Sequence, residues 1–207
     1  VTVQDILDRL KVALVDESHT LWTEAELLGY INDALSALVI ARPDLGFKTH
    51  SYNSASKSIE KPTDYYRFET VQSAGGIAIQ FVDIHKLNQL EPTWRTATGM
   101  PYCWTRYDDH VDEVFLVPAP SEAIDIEIIY SAHLAVSIIT DVLPVPAIYE
   151  GLILDFVLYR AFSKTGQGGS DMNKALSHQN SFYSTLGQKQ QVDISRLQLQ
   201  EKKENSR

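Results

Sequence analysis

The chain has 207 residues, 44% hydrophobic and 22% charged, with a formal net charge of −9; that is enough for one elaborated domain, or two small ones, with a proper core. The acidic balance argues against a protein whose main task is gripping phosphate backbones, which needs concentrated Lys and Arg, although an acidic wall would let DNA slide past it. Cys103 is the only cysteine, which excludes an internal disulfide and a thiolate zinc cage.

The opening VTVQDILDRL carries charges throughout and no secretory apolar stretch. The most hydrophobic run, Leu152–Leu158, is interrupted by Asp155 and flanked by Glu150 and Arg160, far short of the roughly 20 apolar residues a bilayer requires. The expectation is a soluble protein that folds in a reducing cytoplasm.

A first helix is predicted over Val3–Val15, where Val3, Ile6, Leu7, Leu10 and Leu14 recur at helical spacing. Asp16–Leu21 reads as a loop. In the second helix Thr23 is a good N-cap, Glu26 completes a capping box, and Trp22 with Leu27 forms a hydrophobic staple. Leu27, Ile31, Ala34, Leu35 and Leu38 make the buried stripe, and Arg42-Pro43 ends it, because the residue before proline disfavours helical dihedrals.

From about Phe47 to Leu143 the period changes to that of strands. Asn53–Ser56 reads as a turn between two short polar strands, Pro62–Asp64 as another turn, and Tyr65–Val71 as an alternating strand. Gly75-Gly76 suits a tight hairpin, followed by Ile77, Ile79 and Phe81 at period two. Asp83–Leu90 is a short helix closed by Pro92, and Val111–Val117 and Ile124–Tyr130 are strands flanking Pro118–Ser121. The second of these, with Ile124, Ile126, Ile128 and Tyr130 on one side and Asp125 and Glu127 on the other, is a half-buried antiparallel strand.

A third, nearly all-apolar helix starts near Pro146. Such a helix must be wrapped by other elements. Gly166–Gly169 breaks it, Ser170 or Asp171 caps a fourth helix with Ala175, Gln179, Phe182 and Leu186 on one face, and Gly187 is placed as its C-cap. Gln188–Arg207, rich in Gln, Lys, Glu and Ser, cannot bury enough surface to offset its ordering entropy alone.

The fold class is therefore α+β: a four-helix bundle from residues 1–46 and 144–187, an inserted antiparallel β-rich subdomain over 47–143, and an extended, flexible C-terminal tail over 188–207. The expected bundle core is Trp22, Leu27, Ile31, Leu35, Leu152, Phe156, Tyr159 and Phe182. A carboxylate inside the apolar helix must be paired, and Arg9, Arg42 or Arg160 is the expected partner of Asp155.

Several stretches resemble the head-to-tail adaptor proteins of short-tailed bacteriophages: Leu21–Leu28 (LWTEAELL) with Ile31–Ala34, Ala41–Asp44 (ARPD), Pro62–Val71 (PTDYYRFETV), Val114–Pro120 (VFLVPAP), Tyr130–Ala132, and Leu143–Gly187. Their order along residues 3–187 carries the resemblance. It implies a ring of about twelve identical subunits in the virion, beneath the portal protein and above a downstream tail protein, with double-stranded DNA passing through without sequence-specific binding. It also implies that the C-terminal tail reaches the portal, and Val192, Ile194, Arg196, Leu197 and Leu199 are its candidate docking residues. Burying the tail's aliphatic anchors contributes about 1.5–3 kcal/mol each, against about 1–2 kcal/mol per residue for ordering the backbone. One tail then binds weakly, while a ring of tails gains by effective concentration.

No catalytic site, cofactor or metal is expected. Asp108, Asp109, His110, Asp112 and Glu113 read as a solvated hairpin tip, His85 and Glu91 as exposed helix residues, and Ser131-Ala132-His133 lacks the G-x-S-x-G elbow. Trp94, Tyr102 and Trp104 around Cys103 read as core or subunit contact, since base stacking wants more interleaved cations than Arg95 and Arg106. Two rival classes are a tail-associated hydrolase, which needs juxtaposed carboxylates drawn from Asp108, Asp109 and Glu113, and a nucleic-acid-binding module.

Overall fold

The computed structural model describes residues 1–110, 112–164 and 169–204. In chain order the elements are α1 (Val3–Leu14), α2 (Glu24–Ala41), a 3-10 turn (Pro43–Gly46), β1 (Phe47–Ser54), β2 (Tyr65–Ala74), β3 (Ile77–Ala78), β4 (Gln80–Phe81), α3 (Ile84–Leu90), β5 (Thr98–Gly99), β6 (Cys103–Arg106), β7 (Val114–Val117), β8 (Ala119–Pro120), β9 (Ile124–Ala132), a second 3-10 turn (Ala147–Tyr149), α4 (Glu150–Lys164) and α5 (Gly169–Glu204). The protein is thus mixed α+β. Its contacts divide it into two compact units, one of Val1–Ala37 with Ala135–Arg207 and one of Leu38–Leu134; the first division falls inside α2.

The helical unit begins with a capping box that the sequence reading missed: Thr2 Oγ1 accepts from Asp5 N–H, and Thr2 N–H donates to Asp5 Oδ2. At α2 the expected box is only half made. Glu26 N–H donates to Thr23 Oγ1, but the Glu26 carboxylate turns away to accept from Tyr30 Oη and Lys164 Nζ. A cation from another helix outcompetes the local backbone donor. Val3, Ile6, Leu7, Leu10 and Leu14 of α1 are buried, as are Leu27, Ile31, Ala34 and Leu35 of α2. The return segment adds a short backbone pairing beside the first helix, through the Thr2–Val142 bridge and Val3 N–H to Asp141 O. The Asn32 amide grips both backbone groups of Val136 at 2.8 and 3.0 Å.

In the β unit the four-stranded sheet has order β1-β9-β2-β3 with antiparallel pairing throughout. The expected alternation in β9 is present: Ile124, Ile126, Ile128 and Tyr130 are buried, and Tyr130, Ile128 and Ile126 register with Phe68, Val71 and Ala74 of β2. A three-stranded sheet, β4-β6-β7, adds Trp104, Val114 and Leu116 to the same core. Ile84 and Leu87 of α3, with Trp94, Cys103 and Val117, form a second cluster.

The structure departs from the sequence reading here in three places, the first being that β4 pairs with β6, and β5 with β8, in parallel and not antiparallel. No hairpin forms about Asn53–Ser56; β1 pairs along its length with β9, and the following segment makes only the Ser58–Phe115 bridge among the described residues. Ile77 and Phe81 do not share a strand, because the chain leaves one sheet after β3 and joins the other at β4. The approach of backbone to backbone at Gly46 is close: a Cβ there would stand 2.5 Å from Ala132 O.

Candidate assembly interface

Helices α4 and α5 run antiparallel, held in register by side chains of both. Phe162 stacks on His178, Asp155 meets His178 and Ser181, Phe156 meets Phe182 edge-on, and Lys189 Nζ lies over the Tyr149 ring at 5.3 Å. α5 has 36 residues and α4 has 15, or about 54 against 22 Å at 1.5 Å per residue. Because Tyr149 already stands opposite Lys189, the last part of α5 runs past the start of α4. Gly187 is therefore not a C-cap; it lies inside a continuous helix. The part of the expected glycine turn at residues 166–168 lies outside the described residues, and α5 starts at Gly169 with Asp171 in its first turn.

Val192, Ile194, Arg196, Leu197 and Leu199 are all helical in backbone, and the Val192 side chain is about half exposed. Trp22, Leu27, Ile31, Leu35, Leu152, Phe156 and Phe182 are buried, and Tyr159 is half-buried. Trp22 Nε1 donates to Ala161 O at 3.1 Å, tying the entry of α2 to α4.

None of the arginines proposed for Asp155 reaches it. Arg9 pairs with Glu150, Arg160 with Asp33 and Arg42 with Asp44. The partners of Asp155 come instead from α5: His178 Nδ1 at 2.8 Å and Ser181 Oγ at 2.6 Å. Serine, histidine and aspartate meet here, but the serine donates to the aspartate and not to the imidazole, so the three are not linked in the serine–histidine–aspartate order of a triad. The arrangement is a helix clamp.

In the β unit His85 Nε2 pairs with Asp108 at 2.9 Å, both side chains well exposed, while Glu91 accepts from Tyr102 Oη. His85 and Glu91 are therefore not a pair. Asp112 accepts from Tyr65 Oη at 2.7 Å, and with Glu113 it borders a hollow of about 310 Å³ also lined by Ser58, Ile59, Lys61, Val114 and Phe115. Trp94 and Trp104 are buried and Tyr102 is half exposed. Lys57 and Arg95 lie over the Trp94 ring at 4.3 and 4.8 Å, which covers the indole. No group of three or more metal-ligating side chains occurs among the described residues, and no helix among them is long and apolar enough to cross a membrane.

The helical hairpin is set in register by polar clamps, and α5 runs on past α4. The model of the SU10 adaptor protein family matches residues 1–201. The chain belongs to that family, one of bacteriophage head-to-tail adaptors and structural in role. No curated protein matches it.

Proposed function

We propose that the protein is a virion component that forms a ring of about twelve copies under the portal, joins the capsid to the tail and extends the channel for double-stranded DNA. The observation that carries this reading is the run of α5 beyond α4, inside a family match that reaches residue 201. In this reading the four long helices form the bundle that packs side by side in the ring, and the β unit meets neighbouring subunits or the tail. The last turns of α5 dock on the portal through Val192, Ile194, Arg196, Leu197 and Leu199. A helix already formed loses less conformational entropy on docking than an extended tail, which supports a helical contact.

Mass measurement of the purified protein with and without portal tests this. Monomers that assemble into a ring only with portal are expected, and truncation after Gln190 abolishes the gain in mass. Portal binding that survives the truncation would overturn the docking role. Turnover of a glycan substrate, lost on alanine replacement of Asp108, Asp109 and Glu113, would point instead to a hydrolase.

A further inference from the structure

β1 is an edge strand with an open side. The four-stranded sheet runs β1-β9-β2-β3, so β9 covers one side of β1 and, among the described residues, no strand covers the other. All of Phe47–Ser54 registers with β9 without a bulge, and in an antiparallel pair every second residue turns its N–H and C=O away from the partner. Phe47 N–H returns to Asp44 O. Among the described residues no backbone group of Lys48–Ser54 bonds any backbone outside β9. The chain that leaves β1 does not close this side, since Lys57 O and Ile59 N–H pair with β7 and Glu60 N–H donates to Tyr52 Oη.

Edges of this kind are ordinarily blunted by proline, bulges, shortness or free lysines, because an unpaired ladder attracts another strand. The other edges of the unit follow that rule. β3 has two residues, β2 carries three register shifts against β9, and β7 is covered by Lys57 and Ile59. β1 has neither proline nor glycine, and the charge of its one lysine, Lys48, is taken by Asp64 at 2.7 Å. Its two faces differ. His50 stacks on Tyr52, which packs against the apolar cluster of this unit, whereas Phe47, Thr49, Ser51 and Asn53 are exposed.

We propose that β1 is a strand acceptor, and that an extended segment of a different protein adds to the sheet beside it. The ladder sets the chemistry of that segment: about seven residues, to match Lys48–Ser54, without proline where an N–H must be donated. It alternates, with apolar side chains beside His50 and Tyr52 and polar ones beside Thr49 and Ser51. Carboxylates suit it, because β1 carries Lys48 and His50 and no acidic residue. A second copy is the poorer occupant. The comparable open edge it offers among the described residues is its own β1, and β1 against β1 is a two-fold contact that closes at two copies and cannot generate a ring. The choice of occupant therefore rests on the ring reading; the open edge does not.

The test is amide hydrogen exchange, read by mass spectrometry, on the full-length chain alone and in purified virus particles, with a photoreactive residue placed at Ser51 in a parallel preparation. In the free chain the outward amides of β1 should exchange as open chain. In particles they should slow by roughly tenfold or more, and position 51 should cross-link to an extended segment of a different protein. Fast exchange in particles would overturn the proposal, and so would cross-links to a second copy alone. Thr49→Pro and His50→Pro, each combined with the photoreactive residue, give an independent reading, since neighbouring N–H groups face opposite sides of the strand. The variant that keeps the wild-type melting temperature has lost only an outward donor, and it is expected to lose the cross-link; a cross-link at wild-type yield would defeat strand pairing. If both variants unfold, exchange in particles decides. Free exchange at β1 in a particle whose ring is intact defeats this inference alone, and a cross-link to another protein in particles without a ring defeats the ring alone.

Discussion

Asp155 Oδ1 lies 2.8 Å from His178 Nδ1. With a carboxylate as acceptor the proton sits on Nδ1. Ser181, one turn further along α5, takes the other oxygen at 2.6 Å. One carboxylate therefore ties two successive turns of α5 to α4 and fixes how far α5 projects. Asp155→Ala leaves an imidazole and a hydroxyl without their acceptor, and should cost about 1–3 kcal/mol. Urea unfolding with an unchanged m-value is the measurement; a midpoint equal to wild type would show that the clamp holds nothing.

Gly187 gives a sharp discrimination between a helix that stops there and one that continues. A Cβ at this position meets nothing within 4 Å. In a continuous helix Gly187→Ala should stabilise by about 0.5–1 kcal/mol and raise helical ellipticity. At a left-handed cap the same change would be destabilising. Gly46→Ala is the contrasting case: its Cβ would press on Ala132 O at 2.5 Å and Ser131 Oγ at 2.9 Å, so a loss of about 1–3 kcal/mol is expected from overpacking.

The helices were legible because their apolar residues recur at the helical period, and β9 because its isoleucines alternate. What escaped has physical causes. The composition of Gln188–Arg207 cannot drive burial and so suggests an extended tail, yet Gln, Lys, Glu, Arg and Leu are good helix formers, and α5 runs on to Glu204. Poverty of core-forming residues says nothing against a helix that simply continues. β6 was invisible to alternation because Cys103, Trp104 and Thr105 are all buried, and β5 and β8 are too short to carry a period. The Asp155 clamp is hard to read from charge, because a carboxylate inside an apolar helix points first to an arginine partner. His178 and Ser181, spaced i and i+3 on the facing helix, were the signal.

Asp64 and Tyr130 make stability fall at both ends of the pH scale. Lys48 Nζ at 2.7 Å and Tyr130 Oη at 2.8 Å both donate to Asp64, and the lysine's hydrogen bond leads in holding its carboxyl below the usual range. That contribution is present above the unfolded value near 4 and is lost as pH falls through the lower folded value. Tyr130, pushed up to about 12 first by burial and then by Asp64, favours the neutral phenol. The unfolded chain ionises sooner, so stability is lost as pH rises from 10 towards 12. Asp64→Asn should flatten the acid slope in melting temperatures taken from pH 5 down to 2; an acid slope as steep as wild type would exclude Asp64 as a contributor.

Cys103 reports on whether the second cluster of the β unit opens. Its side chain is 2% exposed, among Ile84, Leu87, Trp94 and Val117. Burial, with a smaller contribution from Glu91, pushes the thiol up to about 11. Thiolate is the reacting form, so at pH 8 both access and ionisation protect it. An aromatic disulfide reagent should label native protein only at the rate of local opening, and urea-unfolded protein at once. Fast labelling of the native protein would mean that α3 and the Trp94 segment detach readily, and would rule this cluster out as the rigid support of the β unit.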